Sequence, residues 1–136
     1  MYLASGIAIP VDYTISGIYL MSRNLIWLGD SRKRLKRFPD DVRQDIGFAL
    51  RRVQEGESPP QQKKLKGKDL AGVYEIVEDG QGGTYRAVYV VTLGEAIYVL
   101  HTFHKKSKRG IATPKPDMDL IRERLQAAKE LASEQE

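Results

Sequence analysis

The chain has 136 residues, 41% of them hydrophobic and 29% charged, which is enough for one globular domain with its own core. It contains no cysteine, which excludes disulfides and thiolate chemistry, and no apolar run of the roughly 18 residues that a membrane-spanning helix needs, so we expect a cytoplasmic protein with no membrane partner. The net charge is +4 and cations cluster at 32–37, 63–68 and 105–109, which suggests a nucleic-acid partner, although proteins with other tasks share such basicity.

The first twenty residues differ from the rest of the chain. Residues 1–20 carry a single charge, Asp12, and their apolar residues follow neither a helical nor a strand period. We interpret 1–20 as an extension of doubtful structure, which an upstream start codon would explain. It precedes a domain at 21–130 and an acidic tail at 131–136. The alternative is an extra edge strand around 15–20.

Two helices are predicted after a short strand at 24–29. Asp30 or Ser31 caps a first helix that ends near Phe38, and Pro39 suits the first turn of a second helix. The second helix carries one apolar stripe, formed by Val42, Ile46, Ala49, Leu50 and Val53. This helical hairpin has the pattern of a cover for a sheet.

Three strands and a helix complete the domain after a lysine-rich loop at 61–72. The strands are predicted at 73–78, 84–92 and 96–103, and their glycine-rich links are too short for helical crossovers, so they should pair antiparallel. A last helix follows Pro116 and should fray beyond Lys129. The order βααβββα predicts an α+β sandwich, a mainly antiparallel sheet with its helices on one face.

The strongest chemical signal is the cationic run that continues the last strand. Lys105, Lys106, Lys108 and Arg109 follow directly on the apolar strand, and such a rigid strand end can aim positive charge at an anion. The alternative is a solvated charge run. Arg86 lies inside the preceding strand, where it either binds a phosphate or pairs with Glu75 on the neighbouring strand.

The two histidines are predicted to have different roles. His101 and His104 point to opposite faces in strand alternation, His101 with Val99 and Phe103, so they form a poor metal pair and we expect neither a metal nor a cofactor. We interpret His101 as a core residue. Adjacent lysines disfavour protonation of His104, which makes it a candidate general base.

Across residues 23–128 the chain resembles the RelE/ParE toxin superfamily, and within it the HigB-like, phage-derived branch. The likeness rests on six segments: Gly29-Asp-Ser-Arg-Lys33, Phe38-Pro39, Leu65-Lys-Gly67, Tyr85-Arg-Ala-Val-Tyr89, Tyr98-Val-Leu-His-Thr-Phe103 and Lys105-Lys-Ser-Lys-Arg-Gly-Ile-Ala-Thr-Pro114. The last segment is the specific one. The residue just before it departs from the branch pattern, because His104 stands where a glutamine is usual. The resemblance implies a toxin that cleaves messenger RNA on the ribosome and is restrained by a helix-turn-helix antitoxin.

The chemistry of such a nuclease assigns roles to these residues. Because the RNA 2′-hydroxyl attacks its own phosphate, the protein needs only to align the backbone, stabilise charge and handle two protons. Arg86, Lys105 and Lys106 can stabilise the charge, and His104 or Glu75 can act as the base. RelE carries two lysines where this chain has Glu75 and Val77. Lys64 and Lys66 are therefore the candidates to replace those two lysines in RNA binding. Lys108 and Arg109 are further candidates for RNA contact.

Two other functions fit the same sequence. A ParE-like toxin would inhibit DNA gyrase by binding alone, and a basic nucleic-acid-binding module would have no toxic role. The cationic segment after Phe103 favours the nuclease, whereas analogy of fold does not choose among the three.

Overall fold

The computed structural model describes residues 13–15, 18–20, 22–106 and 112–135. Of the helices in these ranges, none has the length and apolar character needed to cross a bilayer. The elements, in chain order, are β1 (Tyr13–Ile15), β2 (Ile18–Leu20), β3 (Leu25–Trp27), α1 (Ser31–Lys36), α2 (Asp40–Gln54), β4 (Gln62–Lys64), β5 (Val73–Gly80), β6 (Gly83–Val90), β7 (Ile97–Lys105) and α3 (Lys115–Glu134).

A five-stranded sheet in the order β3-β7-β6-β5-β4 forms the centre of the domain. Strands β5, β6 and β7 pair antiparallel, which confirms the predicted α+β class. The first strand, β3, pairs parallel with β7, so the sheet is mixed. The short strand β4 lies at one edge of the sheet. It forms inside the predicted lysine-rich loop because it pairs with β5.

The helices cover both faces of the sheet, so the expectation that they share one face is wrong. On β6, Tyr85 and Tyr89 pack into a core cluster with α1 and α2, whereas Val88 and Val90 pack into a second cluster with α3. The run Ile97–Leu100 of β7 is buried on both sides. A continuous apolar strand of this kind needs a covering layer on each face of the sheet. Helices α1 and α2 form one layer and α3 forms the other.

A β-bulge in β7 changes which side chains share a face. Val88 pairs with His101 and Tyr89 pairs with Val99, so Leu100 is an extra residue in the ladder. His101 stacks on Phe103 and bonds to α3, whereas Val99 packs in the α1/α2 cluster. The predicted alternation is therefore right for His101 with Phe103 and wrong for His101 with Val99.

The segments at the two ends of the domain are described in part. Strand β2 lies within the predicted edge strand but pairs with β1, and neither belongs to the five-stranded sheet. Residues 1–12 lie outside the described residues. At the other end α3 continues to Glu134, so most of the predicted acidic tail is helical.

Arg23 anchors the start of the domain. Its guanidinium donates to the carbonyls of Val91 at 2.6 Å and Ala96 at 3.1 Å. Its backbone N–H donates to the Gln54 carbonyl, and the Gln54 side chain donates back to the Arg23 carbonyl at 2.8 Å. These bonds tie residue 23 to α2 and to the loop before β7.

A chain that starts at Met21 should fold with nearly the same stability, because it keeps every Arg23 contact and the whole five-stranded sheet. We expect its melting temperature to lie within about 4 °C of that of the full chain, which corresponds to less than about 1 kcal/mol for a domain of this size. Differential scanning calorimetry measures this. A larger loss would show that 1–20 packs on the domain as structure.

Candidate functional site

A buried ion pair joins the two central strands on the α3 face. Arg86 Nη1 donates to Glu75 Oε1 at 2.7 Å, and each side chain is only 8% exposed. The predicted pairing alternative for Arg86 is therefore present. The Arg86 Nε is also buried and has no hydrogen-bond partner among the described residues, so the guanidinium retains one unused donor.

Lys105 lies on the same face, one strand further along. Thr84 is paired with Lys105 and Arg86 with Phe103, which makes Arg86 and Lys105 diagonal neighbours. Lys105 is 5% exposed and donates from Nζ to the Ala112 carbonyl at 2.6 Å. On this face the strand thus remains buried to its last residue, so the first cation of the run lies inside the core.

Burial and neighbouring charge act on Lys105 in opposite directions. Desolvation lowers the pKa of Lys105, and the Arg86 guanidinium lowers it further, while Glu75 and Asp117 raise it. The net pKa is below that of a free lysine. The α3 face thus gathers an arginine, a lysine and a carboxylate on one diagonal across β5, β6 and β7.

The remaining predicted cations are not all brought together. Lys106 is exposed at the end of β7, and Lys108 and Arg109 lie outside the described residues. Lys64 and Lys66 are exposed at the far edge of the sheet, since β5 and β6 separate β4 from β7 by about 14 Å. The register also pairs Lys64 with Tyr74 on the α2 face, away from Arg86.

His104 lies on the opposite face of β7 from Arg86 and Lys105. Its ring stacks on Tyr85 with centroids 4.2 Å apart and planes 7° apart, and its Nε2 lies 2.8 Å from the Gly82 carbonyl. Together with Lys33, Arg37 and other residues it lines an open cleft of about 700 Å³ beside α1. Sequence reasoning noted the cationic run at 32–37 but did not place it beside His104.

His101 is a core histidine, as predicted, and belongs to a network that joins β7 to both terminal helices. Its Nε2 lies 2.8 Å from Asp117 Oδ1 and its Nδ1 lies 3.4 Å from Arg124 Nη1. Arg124 also donates to Asp30 at 2.7 Å and to the Leu100 carbonyl at 2.9 Å. Asp117 is a nearby carboxylate that the sequence did not indicate. Within the described residues no cluster of three metal-ligating side chains forms.

Only one tautomer of neutral His101 satisfies both neighbours. Arg124 can only donate, so Nδ1 accepts from it and the proton sits on Nε2, which donates to Asp117. A second proton on Nδ1 would point at the Arg124 guanidinium. Burial lowers the pKa of His101 and the nearby Arg124 and Arg34 charges lower it further, while Asp117 raises it; the net pKa is below 6.5.

Comparison with known proteins identifies the family. The family model described as Phage derived protein Gp49-like matches residues 33–126. The chain belongs to this Gp49-like family. Among curated proteins, none matches the sequence significantly.

Three solved toxin structures are similar to this Gp49-like protein. A free arginine double mutant of the Escherichia coli toxin RelE is 18% identical, with a TM-score of 0.52, over 79% of this chain and 98% of RelE. Isolated E. coli RelE is 17% identical over 75% and 98%, with a TM-score of 0.48. The RelBE2 toxin–antitoxin complex of Mycobacterium tuberculosis is 18% identical over 63% and 94%, with a TM-score of 0.44. The RelE mutant shows that the chain has a RelE-like fold, which is the fold that the sequence resemblance implied.

The Gp49-like domain should lose stability on mild acidification because of His101. Just below pH 6.5 the unfolded chain binds a proton that folded His101 does not, so the free energy of unfolding falls as the pH falls, by at most about 1.4 kcal/mol per pH unit. The loss stops once the pH is below the folded pKa. Urea titrations between about pH 7 and 5 measure it.

His101→Gln is the matched variant, since its amide N–H can still donate to Asp117 but does not titrate. It should remove this pH dependence, while the exposed His104→Gln should keep it. Equal pH dependence in wild type and His101→Gln would contradict the assignment.

Proposed function

We propose that this Gp49-like protein is the toxin of a toxin–antitoxin pair and cleaves messenger RNA on the ribosome, as in the HigB-like branch that its sequence resembles. One observation carries the proposal: Arg86 and Lys105 converge on one face at the end of β7, with Glu75 beside them and Lys106 exposed next in the chain. Two cations held by strands are a preorganised site for a phosphate.

In the proposed reaction the RNA supplies its own nucleophile. The 2′-oxygen forms a bond to the adjacent phosphorus, the P–O5′ bond breaks, and the products are a 2′,3′-cyclic phosphate and a 5′-hydroxyl. Arg86, Lys105 and Lys106 stabilise the charge that develops on the phosphoryl oxygens. Phosphate would replace the Ala112 carbonyl as the partner of Lys105 and use the free Arg86 Nε.

Two protons must move, and the α3 face offers a group for each. Glu75 is the candidate base that takes the 2′-hydroxyl proton, because it shares the face of Arg86. Lys105, whose pKa burial lowers, is the candidate acid for the leaving 5′-oxygen. His104 was the other candidate base, but it lies across the strand from this group.

The proposed partners follow from the family and from charge. A helix-turn-helix antitoxin would restrain the toxin by covering the cationic end of β7, and at least about 1,000 Å² of total buried surface is needed for a stable complex of this kind. Lys108 and Arg109 remain candidates for RNA contact, as do Lys64 and Lys66 at the other sheet edge. Ribosomes and messenger RNA place the activity in the cytoplasm.

The ion pair should be tested by replacing both partners. Arg86→Ala alone leaves the Glu75 carboxylate buried without its partner, which typically costs about 3–5 kcal/mol and would confuse misfolding with lost activity. The double variant Glu75→Met with Arg86→Met keeps volume and removes both charges, so it should be as stable as wild type or more stable. Its cleavage rate should fall on the order of 100-fold or more.

Messenger RNA cleavage in a reconstituted translation reaction, with thermal melts as a check, measures both effects. Lys129→Met on the exposed side of α3 is the control and should cleave at the wild-type rate. A folded double variant that cleaves normally would remove Arg86 from the site. Growth arrest accompanied by DNA damage in place of cleavage would indicate the gyrase inhibitor.

Cleavage should not need a metal from the protein, because the proposed charge stabilisation comes from Arg86 and the lysines. We expect ribosome-bound toxin to keep its rate in excess chelator when a polyamine replaces magnesium in holding the ribosome together. The readout is primer extension at the cut sites. Activity that returns only on addition of one particular divalent metal would contradict the mechanism.

A further inference from the structure

The cleft beside α1 lies on the sheet face opposite Arg86 and is not used by the proposed mechanism. Its floor is a ladder of three rings: Phe38 meets Tyr85 edge-on at 5.0 Å, and Tyr85 stacks under His104 at 4.2 Å. Phe38 and Tyr85 are buried, whereas His104 is exposed. The ladder therefore ends in an accessible ring inside the cleft.

The His104 ring is held in place by its surroundings. Its inner face covers Tyr85, and its Nε2 lies 2.8 Å from the Gly82 carbonyl oxygen. A planar ring that is already oriented loses little conformational entropy when another flat group stacks on it. This is the property of an aromatic platform for a nucleic-acid base.

The cleft carries a net positive charge, and two of its cations are free to bind an anionic ligand. Lys33 and Arg37 line it and form no ion pair with any described residue, in contrast to Arg34, which binds Asp30 at 2.8 Å. Asp30, the acid in the lining, is also bonded to Arg124, and these two arginines hold the pKa of its carboxyl well below the usual range. The negative charge of Asp30 is thus balanced by two arginines, while Lys33 and Arg37 stay exposed to solvent.

We propose that this cleft binds one or two nucleotides of single-stranded RNA, with a base stacked on His104 and the backbone phosphates on Lys33 and Arg37. Its volume of about 700 Å³ is that of a small-ligand site. Recognition of double-stranded RNA instead needs a surface that spans about 16 base pairs. The stacking ring also favours RNA over an acidic peptide, which would use the cations alone.

The proposal places RNA on both sides of the end of β7. His104 and Lys105 are consecutive residues and point to opposite faces of the sheet. An RNA strand that passes over the end of β7 therefore meets the cleft either before or after the proposed cleavage site. The proposal that the cleft binds RNA rests on the proposed function, in which RNA is also the ligand. Binding to an RNA that cannot be cleaved separates failure of the two proposals.

Fluorescence anisotropy with a labelled 12-nucleotide 2′-O-methyl RNA tests the site, because this probe lacks the attacking hydroxyl. His104→Ala should raise the Kd about tenfold, within the range measured for loss of one stacked base, whereas His104→Phe should bind within about threefold of wild type. An oligonucleotide with abasic sugars should bind wild type and His104→Ala equally.

Salt dependence tests the two cations. Lys33→Ala and Arg37→Ala should each reduce the slope of log Kd against log salt by about 0.7, the value for one lost phosphate contact on a single strand. Lys36→Ala is the matched control: it removes an equal charge from the same helix, is exposed and does not line the cleft, so its slope should stay at the wild-type value.

Three results would overturn the proposal. Equal effects of Lys33→Ala and Lys36→Ala would mean diffuse attraction to a basic helix. Unchanged binding by His104→Ala would mean that the ring only covers Tyr85. Loss of affinity for the antitoxin but not for RNA in the Lys33 and Arg37 variants would make the cleft a protein-docking surface. If RNA binds as expected but is not cleaved on the ribosome, the nuclease proposal alone fails.

Discussion

The pairing of β7 with β6 decides where the charged side chains at the end of β7 lie. A strand alternates its side chains between faces, so one extra residue transfers everything beyond it to the other face. Leu100 is that residue, and it turns His101, Phe103 and Lys105 towards α3 while His104 turns towards α1. Without the bulge, Lys105 would lie on the α1 face, away from Arg86.

Arg124 holds the bulge in place. A bulge leaves backbone groups without partners in the strand ladder. The Arg124 guanidinium provides one such partner, because it donates a hydrogen bond to the Leu100 carbonyl at 2.9 Å. The same group reaches Asp30 at the start of α1, which joins the helices on the two faces. Gly29 makes the approach possible, because its φ is +54° and a Cβ there would meet the guanidinium at 2.5 Å.

The buried pair of Arg86 and Glu75 sets both the strength and the cost of the proposed site. Its charges are removed from water, so they act strongly on Lys105, and a phosphate that enters meets donors that need little reorganisation. The cost is that loss of one partner destabilises the fold. RNA binding and phosphate chemistry would then lie on different faces, which lets the exposed cleft vary while the buried pair stays intact.

Local patterns in the sequence were sufficient for the three helices and for the strands β3, β5, β6 and β7. Pro39 and the apolar stripe of α2 depend on neighbours a few residues away, and so do the glycine-rich turns between the strands; physical preferences of that range can be read from one chain. The cationic segment after Phe103 and the Tyr85-Arg86 pair likewise indicated the RelE-like fold and the residues that could carry chemistry.

Only the tertiary structure decided the faces. The bulge at Leu100, the parallel pairing of β3 and the position of α3 all depend on contacts between residues far apart in the chain, and no local preference encodes them. The partners of His101 and Arg86 were settled in the same way, since Asp117 and Glu75 reach them through packing. Residue types and their spacing therefore determined what chemistry the chain can carry, and long-range packing determined which groups act together.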